Sequence, residues 1–313
     1  MPAARGRSLP PPALLLATAG IFWAGNMVVG RALRDDMPPV AMAFWRWTLA
    51  GALLLPFTWR ALVAHRATLA RHWKLYALLG GIGVALFNTL GYIGLQTTTA
   101  TNASLFNSLI PVLIVPFAWW LLGERATARQ LVAIAISLVG VTVIVTRGEL
   151  ATLLALALNP GDLWVLSSMS LFALYTVLVR RKPDALAGLA FLATTVAFGW
   201  PLLAAGFAIE VATGEVTHWS PRALLAIAYW GTLPSIASYW LFNRGVAAVG
   251  ANRAGLYLHL VPVYGVLLST LLLGEPPRAY HFTGMALVFV GIALASRGRV
   301  ADAASTPVAP APR

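Results

Sequence analysis

Ten apolar stretches, each long enough to cross a bilayer, follow one another along this chain with only short connections between them. They occupy residues 13–32, 38–59, 75–97, 99–122, 129–146, 161–179, 187–210, 223–247, 252–273 and 281–297. The hydrocarbon core offers the backbone no water, so such stretches must be helices that satisfy their own N–H and C=O groups. Pro38-Pro39, Asn159-Pro160-Gly161 and Pro276-Pro277 punctuate the connections. The fold class that follows is all-α and integral to the membrane, with ten transmembrane helices. The first stretch follows Arg5 and Arg7, as a secretory leader would. The many similar segments behind it make a first transmembrane helix the better reading. Residues 1–12 and 300–313 are rich in Pro and Ala and are expected to be disordered tails.

Composition narrows the function classes. Hydrophobic residues make up 59% of the chain and charged residues 10%. A soluble domain carries roughly 25% charged residues, so this chain cannot coat a water-facing globule. Cysteine is absent, which excludes disulfides, thiolate metal sites and a cysteine nucleophile. The net charge of +12 would suggest nucleic acid in a soluble protein, but no soluble domain is long enough to read one. The excess is instead what the positive-inside rule produces in the bilayer of a bacterial inner membrane. With the N-terminus cytoplasmic, the inner segments hold Arg60, Arg66, Arg71, Lys74, Arg125, Arg129, Arg180, Arg181, Lys182, Arg244 and Arg253, among others. The outer loops hold Arg31, Arg34, Arg147, Arg222 and Arg278. That bias of roughly three to one puts both termini inside and requires an even helix count.

The chain repeats itself. Leu121-Leu122-Gly123-Glu124 returns as Leu272-Leu273-Gly274-Glu275, a shift of 151 residues. At the same shift Gly94 meets Gly245, Ala100 meets Ala251, Pro111 meets Pro262 and Gly140 meets Gly291. The halves are thus 13–148 and 160–299, five helices each. An odd number inverts the second half relative to the first, and places Glu124 at the cytoplasmic face and Glu275 at the outer face. Inverted repeats of this kind hold substrate near the midplane, between the halves.

These repeated segments carry a family resemblance. QTTTATNASLFNSLIPVLIVPFAWWLLGERATARQLVAIAISLVG at 96–140 resembles the end of an EamA domain of the drug/metabolite transporter superfamily. SYWLFNRGVAAVGANRAGLYLHLVPVYGVLLSTLLLGE at 238–275 is similar to the same pattern. Trp23 with Asn26 resembles the family's early tryptophan motif, and Arg46 matches an arginine often found in helix two. The resemblance implies two five-helix EamA repeats around a central cavity lined mainly by helices 1, 3, 4, 6, 8 and 9. It also implies a carrier, not an enzyme, for amino acids or related metabolites. One branch of the superfamily exports aromatic and other neutral amino acids, and that branch is the favoured expectation.

Polar groups inside a membrane are costly, a charge at a helix centre by about 2.5–3.5 kcal/mol on insertion scales, so they are the first site candidates. Helix three offers Asn88 and Tyr92, four apart on one face. Helix four offers Ser104, Asn107 and Ser108. Helix six offers Trp164, Ser168 and Tyr175, and helix eight Ser235, Tyr239 and Asn243, while His259 lies in helix nine. With Trp23 and Asn26 these form the candidate substrate-binding set. Each alone also fits a packing role between helices or an interfacial anchor. Pro111 and Pro262 are candidate hinges, because each frees the carbonyl four residues back. Arg46 reads better as a strut to backbone carbonyls or to Asp35 and Asp36 than as a substrate group, since helix two is peripheral in the resembled family. His259, which titrates near neutral pH, is either a satisfied polar group or a proton coupler.

No carboxylate sits mid-span: Glu124, Glu210 and Glu275 lie at helix ends and Asp162 at a helix start. A cationic drug therefore fits poorly and a neutral or zwitterionic solute better. A membrane enzyme acting on lipid-linked substrates would need clustered acids or a nucleophile–base pair, and a sensor or assembly subunit would carry a signalling domain. Neither pattern is present. No cofactor or metal is called for, and the expected partners are a small solute and the bilayer, in a monomer or loose homo-oligomer.

Overall fold

In the computed structural model of the chain the described residues are 10–33, 36–183, 185–273 and 276–296. Glu275, Asp35, residues 1–9 of the N-terminal tail and the whole of 300–313 lie outside them. Among the described residues there is no strand. The helical rods are α1 (Pro12–Ala32), α2 (Pro39–Ala64), α3 (Trp73–Thr97), α4 (100–122), α5 (Ala128–Val145), α6 (Pro160–Arg181), α7 (Gly188–Ala212), α8 (221–249), α9 (251–273) and α10 (Ala279–Ser296). Among the described residues seven helices, α2 to α7 and α10, are long and apolar enough to cross a membrane.

Local chemistry explains the boundaries. Prolines occupy the first turns of α1, α2, α6 and α8, where a missing N–H costs nothing. Thr127 and Gln130 cap α5 reciprocally. Gly123 and Gly250, at φ 68° and 84°, turn the chain out of α4 and α8 through conformations that suit glycine. The start of α2 is capped from afar: the Glu210 carboxylate, at the end of α7, accepts from the Val40 and Ala41 N–H groups at 2.9 and 2.7 Å. The α2 helix runs five residues past the expected 59, to Ala64. Two short helices, Arg66–Arg71 and Leu150–Leu154, occupy connections that the sequence reading left irregular.

Large apolar side chains lie on the outside of the bundle as well as in its core, and several polar ones are buried. Phe57, Trp120 and Leu271 are 82%, 76% and 79% exposed, while Arg46 and Ser168 are buried at 1% and 0%. Lipid solvates the first set and the bundle interior satisfies the second.

Glycines set the closest helix contacts. A Cβ on Gly140 would lie 2.6 Å from the Gly284 carbonyl oxygen and 2.9 Å from the Val288 nitrogen. A Cβ on Gly291 would lie 2.6 Å from the Ala133 carbonyl oxygen and 3.1 Å from the Ser137 nitrogen. As the number rises along α5 it falls along α10, so the two run antiparallel. Gly140 pairs with Gly291 at the 151-residue shift, as do Ala133 with Gly284 and Ser137 with Val288. The interface is thus self-complementary, the relation a two-fold axis imposes.

Helix irregularities recur at the same spacing. One π-helical turn, Gly81–Leu86, interrupts α3, and another, Gly231–Ala237, interrupts α8. The α4 helix breaks at Ser108 and Leu109, and α9 tightens into a 3-10 turn at Tyr257–His259. These elements surround the interior.

Candidate functional site

A cavity of about 360 Å³ lies between the two halves of the chain. Its polar wall carries Asn26 from α1, Arg46 from α2, and Thr101, Ser104 and Asn107 from α4. Its apolar wall carries Trp23, Phe87, Phe172, Leu258, Val261 and Pro262. The cavity reaches the bundle end where α4 begins, α5 stops and α10 begins, at Thr101, Val145 and His281.

Arg46 organises the polar wall. Its Nε donates to Ser235 Oγ at 2.5 Å, and one Nη1 donates to Asn26 Oδ1 at 3.0 Å and to Tyr92 Oη at 3.1 Å. The guanidinium carbon also lies 5.4 Å from the Trp47 ring centroid, within cation–π range. One guanidinium therefore ties α1, α3 and α8 to α2. It joins helices as a strut would, but its partners among the described residues are neutral side chains and not the expected backbone carbonyls or Asp36. It also lines the cavity, so helix two is no bystander here. The sequence favoured a strut away from the site because helix two is peripheral in the resembled family, and the length and apolarity of α2 do not reveal which way residue 46 points.

The two π turns expose carbonyls at matching positions, and each is met from the opposite half. Trp23 Nε1 donates to Pro234 O at 3.0 Å, and Tyr239 Oη donates to Gly83 O at 2.7 Å. Residues 83 and 234 are 151 apart. A π turn shifts the local hydrogen-bond register, and each half supplies the missing donor to the other. Trp23 meanwhile packs edge-on against Phe172, Tyr239 and Phe242, with ring centroids 5.2–5.8 Å apart, the arrangement aromatic quadrupoles favour.

The candidate residues separate into groups. Trp23, Asn26, Ser104, Asn107 and Pro262 line the cavity. Asn88, Tyr92 and Ser168 surround a much smaller space beside it, also touched by Asn26. Within it Asn88 Nδ2 donates to Val84 O at 3.2 Å, and Ser168 Oγ to Phe87 O at 2.6 Å. Tyr175, Ser235, Tyr239 and Asn243 form a buried scaffold behind the wall, in which Asn243 Nδ2 donates to Tyr175 Oη at 2.8 Å. Trp164 departs from the expectation: it is 46% exposed and lies on the outer surface of α6. Its spacing of four from Ser168 placed it on the same stripe, yet the stripe is wide enough that its first turn faces outward. Phe87 and Phe172 were missed, because an aromatic in a chain this apolar carries no distinguishing signal.

His259 and Ser108 sit one repeat apart and meet. The Ser108 carbonyl can only accept, so His259 Nε2 carries the proton in that 2.8 Å bond. Nδ1 lies 2.7 Å from Ser137 Oγ. Both ring nitrogens thus have partners, and His259 joins the breaks of α4 and α9 to α5. Pro111 is buried directly after the α4 break, and Pro262 follows the 3-10 turn of α9 on the cavity wall.

The opposite end of the bundle is clamped. Arg180 pairs with Glu124 at 3.2 Å and also donates to Ala247 O at 3.3 Å, while Arg181 donates to Leu121 O. These contacts join the ends of α4, α6 and α8. Among the described residues no three His, Asp or Glu gather to hold a metal ion.

Comparison with known proteins decides the family. The model of the EamA-like transporter family matches residues 11–146 and again 159–297. The chain belongs to the EamA-like transporter family. It is accordingly a multi-pass membrane transporter and not an enzyme. Its relatives include an uncharacterized transporter, YyaM, of Bacillus subtilis, 28% identical over 90% of this chain and 92% of the relative. A probable terminal-alkyne amino-acid exporter of Streptantibioticus cattleyicolor is 32% identical over 92% and 94% of the two chains. One solved crystal structure superposes with a TM-score of 0.71 at 20% identity, covering 94% of this chain and 99% of the other, which supports the fold alone.

Proposed function

We propose that this chain is a secondary transporter that exports or equilibrates a small metabolite, foremost a neutral or aromatic amino acid, by alternating access. The observation that carries the proposal is the cavity between the halves: it reaches one bundle end, while Arg180 and Glu124 clamp the other. Its volume lies within the range of small-molecule sites, and its mix of aromatic wall and few polar groups is typical of them. The amino-acid assignment draws on the printed name of the Streptantibioticus relative and on the absence of any Asp or Glu from the described cavity wall.

In this proposal the ten rods α1 to α10 are ten spans, arranged as inverted repeats 13–148 and 160–299. The antiparallel, self-complementary packing of α5 on α10 supports it, because helices related by a two-fold axis and running oppositely place that axis in the membrane plane. The bias of basic residues supports a topology with both termini in the cytoplasm of a bacterial cell. The cavity mouth at Thr101 and His281 then faces outward and the Arg180–Glu124 clamp inward. Trp23, Asn26, Ser104 and Asn107 would contact solute directly, with Tyr239 and Asn243 holding the wall behind.

Reconstituted proteoliposomes loaded with a panel of radiolabelled amino acids test the reading. Counterflow of at least one neutral or aromatic amino acid above empty vesicles is expected, with Trp23→Ala abolishing it and Trp164→Ala leaving it intact. Absence of flux for every amino acid, in vesicles that move another metabolite, would remove the amino-acid assignment and leave the carrier.

A further inference from the structure

We infer that Arg46 is the docking point for a carboxylate on the solute, so that the transported class is small carboxylates with an apolar body. The inference rests on the carrier reading above and names what its cavity selects.

Three observations support it. First, Arg46 is 1% exposed and lines the cavity, yet it forms no ion pair among the described residues, and no Asp or Glu contributes to the described wall. A buried cation whose partners are all neutral lacks its counter-charge. Second, the guanidinium is only partly used. Nε and Nη1 are held by Ser235, Asn26 and Tyr92, whereas Nη2, with two N–H groups, has no hydrogen-bond partner among the described residues. The three acceptors fix the plane of the fork and leave one nitrogen to point elsewhere. Charge-assisted N–H···O⁻ bonds of this kind are about twice as strong as neutral ones, and a planar fork is suited to a carboxylate. Third, the apolar lining of the same cavity includes Trp23, Phe87, Phe172 and Leu258, which would cover an apolar side chain once the carboxylate is anchored. A purely structural strut would need neither an unused nitrogen nor a place on the cavity surface.

The strut and the anchor make different demands on the solute. Flux into proteoliposomes would be measured for L-phenylalanine and 3-phenylpropionate, and for their carboxylate-free counterparts L-phenylalaninamide and phenethylamine. The wild type should move the first pair and not the second. Arg46→Lys, which keeps the charge but loses the fork, should raise the half-saturating concentration about tenfold, and Arg46→Met about a hundredfold, the range expected for hydrogen bonds to a charged group. Thermal unfolding of each purified variant reports whether the fold survives. If Arg46→Met does not fold, the solute comparison in the wild type still decides. Equal movement of the amide and amine would overturn the anchor while the carrier reading stands. So would unchanged half-saturation for the acids in a folded Arg46→Met. If none of the four moves, the anchor falls; the carrier reading falls only if other metabolites also fail to move.

Discussion

Gly140→Ala tests the close packing of α5 against α10. The added Cβ would sit 2.6 Å from Gly284 O and 2.8 Å from Leu287 Cβ, whereas ordinary contact begins at 3.4 Å. The obstacle is backbone, which cannot swing aside, so α5 and α10 must part by roughly 0.8 Å. A radial gap of about that size forfeits a quarter to a half of each dispersion contact along the seam. Overpacking of this kind costs about 1–3 kcal/mol, partly offset by the helix propensity of alanine, about 0.8–1.0 kcal/mol over glycine. Gly265→Ala supplies the control, because a Cβ there meets nothing within 4 Å and only the propensity gain applies. Thermal or SDS unfolding of the purified variants should therefore place Gly140→Ala about 1–3 kcal/mol below Gly265→Ala. Gly291→Ala, its counterpart, should match it, and the double variant should cost less than the sum, since helices already parted have room for a second methyl. Equal stability of Gly140→Ala and Gly265→Ala would refute the reasoning.

Two further outcomes are expected. Glu124→Gln removes the Arg180 ion pair that clamps one bundle end, an exposed interaction worth about 0.2–1 kcal/mol. Labelling of a single Ala118→Cys, fully buried in α4 six residues before Glu124 and in a chain that has no native cysteine, should accelerate about 1.4- to 5-fold; an unchanged rate would mean that the clamp holds nothing closed. His259→Ala strands the Ser108 carbonyl, while the Ser137 hydroxyl keeps the Ala133 carbonyl at 2.9 Å; it should destabilise the protein by about 1–3 kcal/mol, with His259→Gln recovering part of the loss. The response of transport to a pH gradient should not change, and its selective loss in a variant of normal stability would restore His259 as a proton coupler.

The membrane class, the rod boundaries to within a few residues and the 151-residue register were legible in the amino-acid sequence because each is a one-dimensional property. Hydropathy over a bilayer's thickness is additive along the chain, and Gly, Pro and Glu recur at fixed spacing whatever they touch. The candidate residues were legible as polar exceptions in an apolar background, and Trp23, Asn26, Ser104 and Asn107 do share one cavity. What periodicity does not report is azimuth. Ser168 and Trp164 share a stripe at four-residue spacing, yet one is buried and the other faces outward, because a stripe has width and only the neighbouring helices decide where its edge falls.

Tertiary structure alone shows what Arg46 touches. Its charge inside a span was plain from the beginning, and the sequence favoured a strut, but the partners of a lone cation are not legible along the chain. Those partners, Asn26, Tyr92 and Ser235, come from three other helices as far as 189 residues away in the chain. The same holds for the crossed bonds from Trp23 to Pro234 and from Tyr239 to Gly83. A π turn leaves no signature in composition, and a carbonyl released in one half finds its donor only when the other half is folded against it.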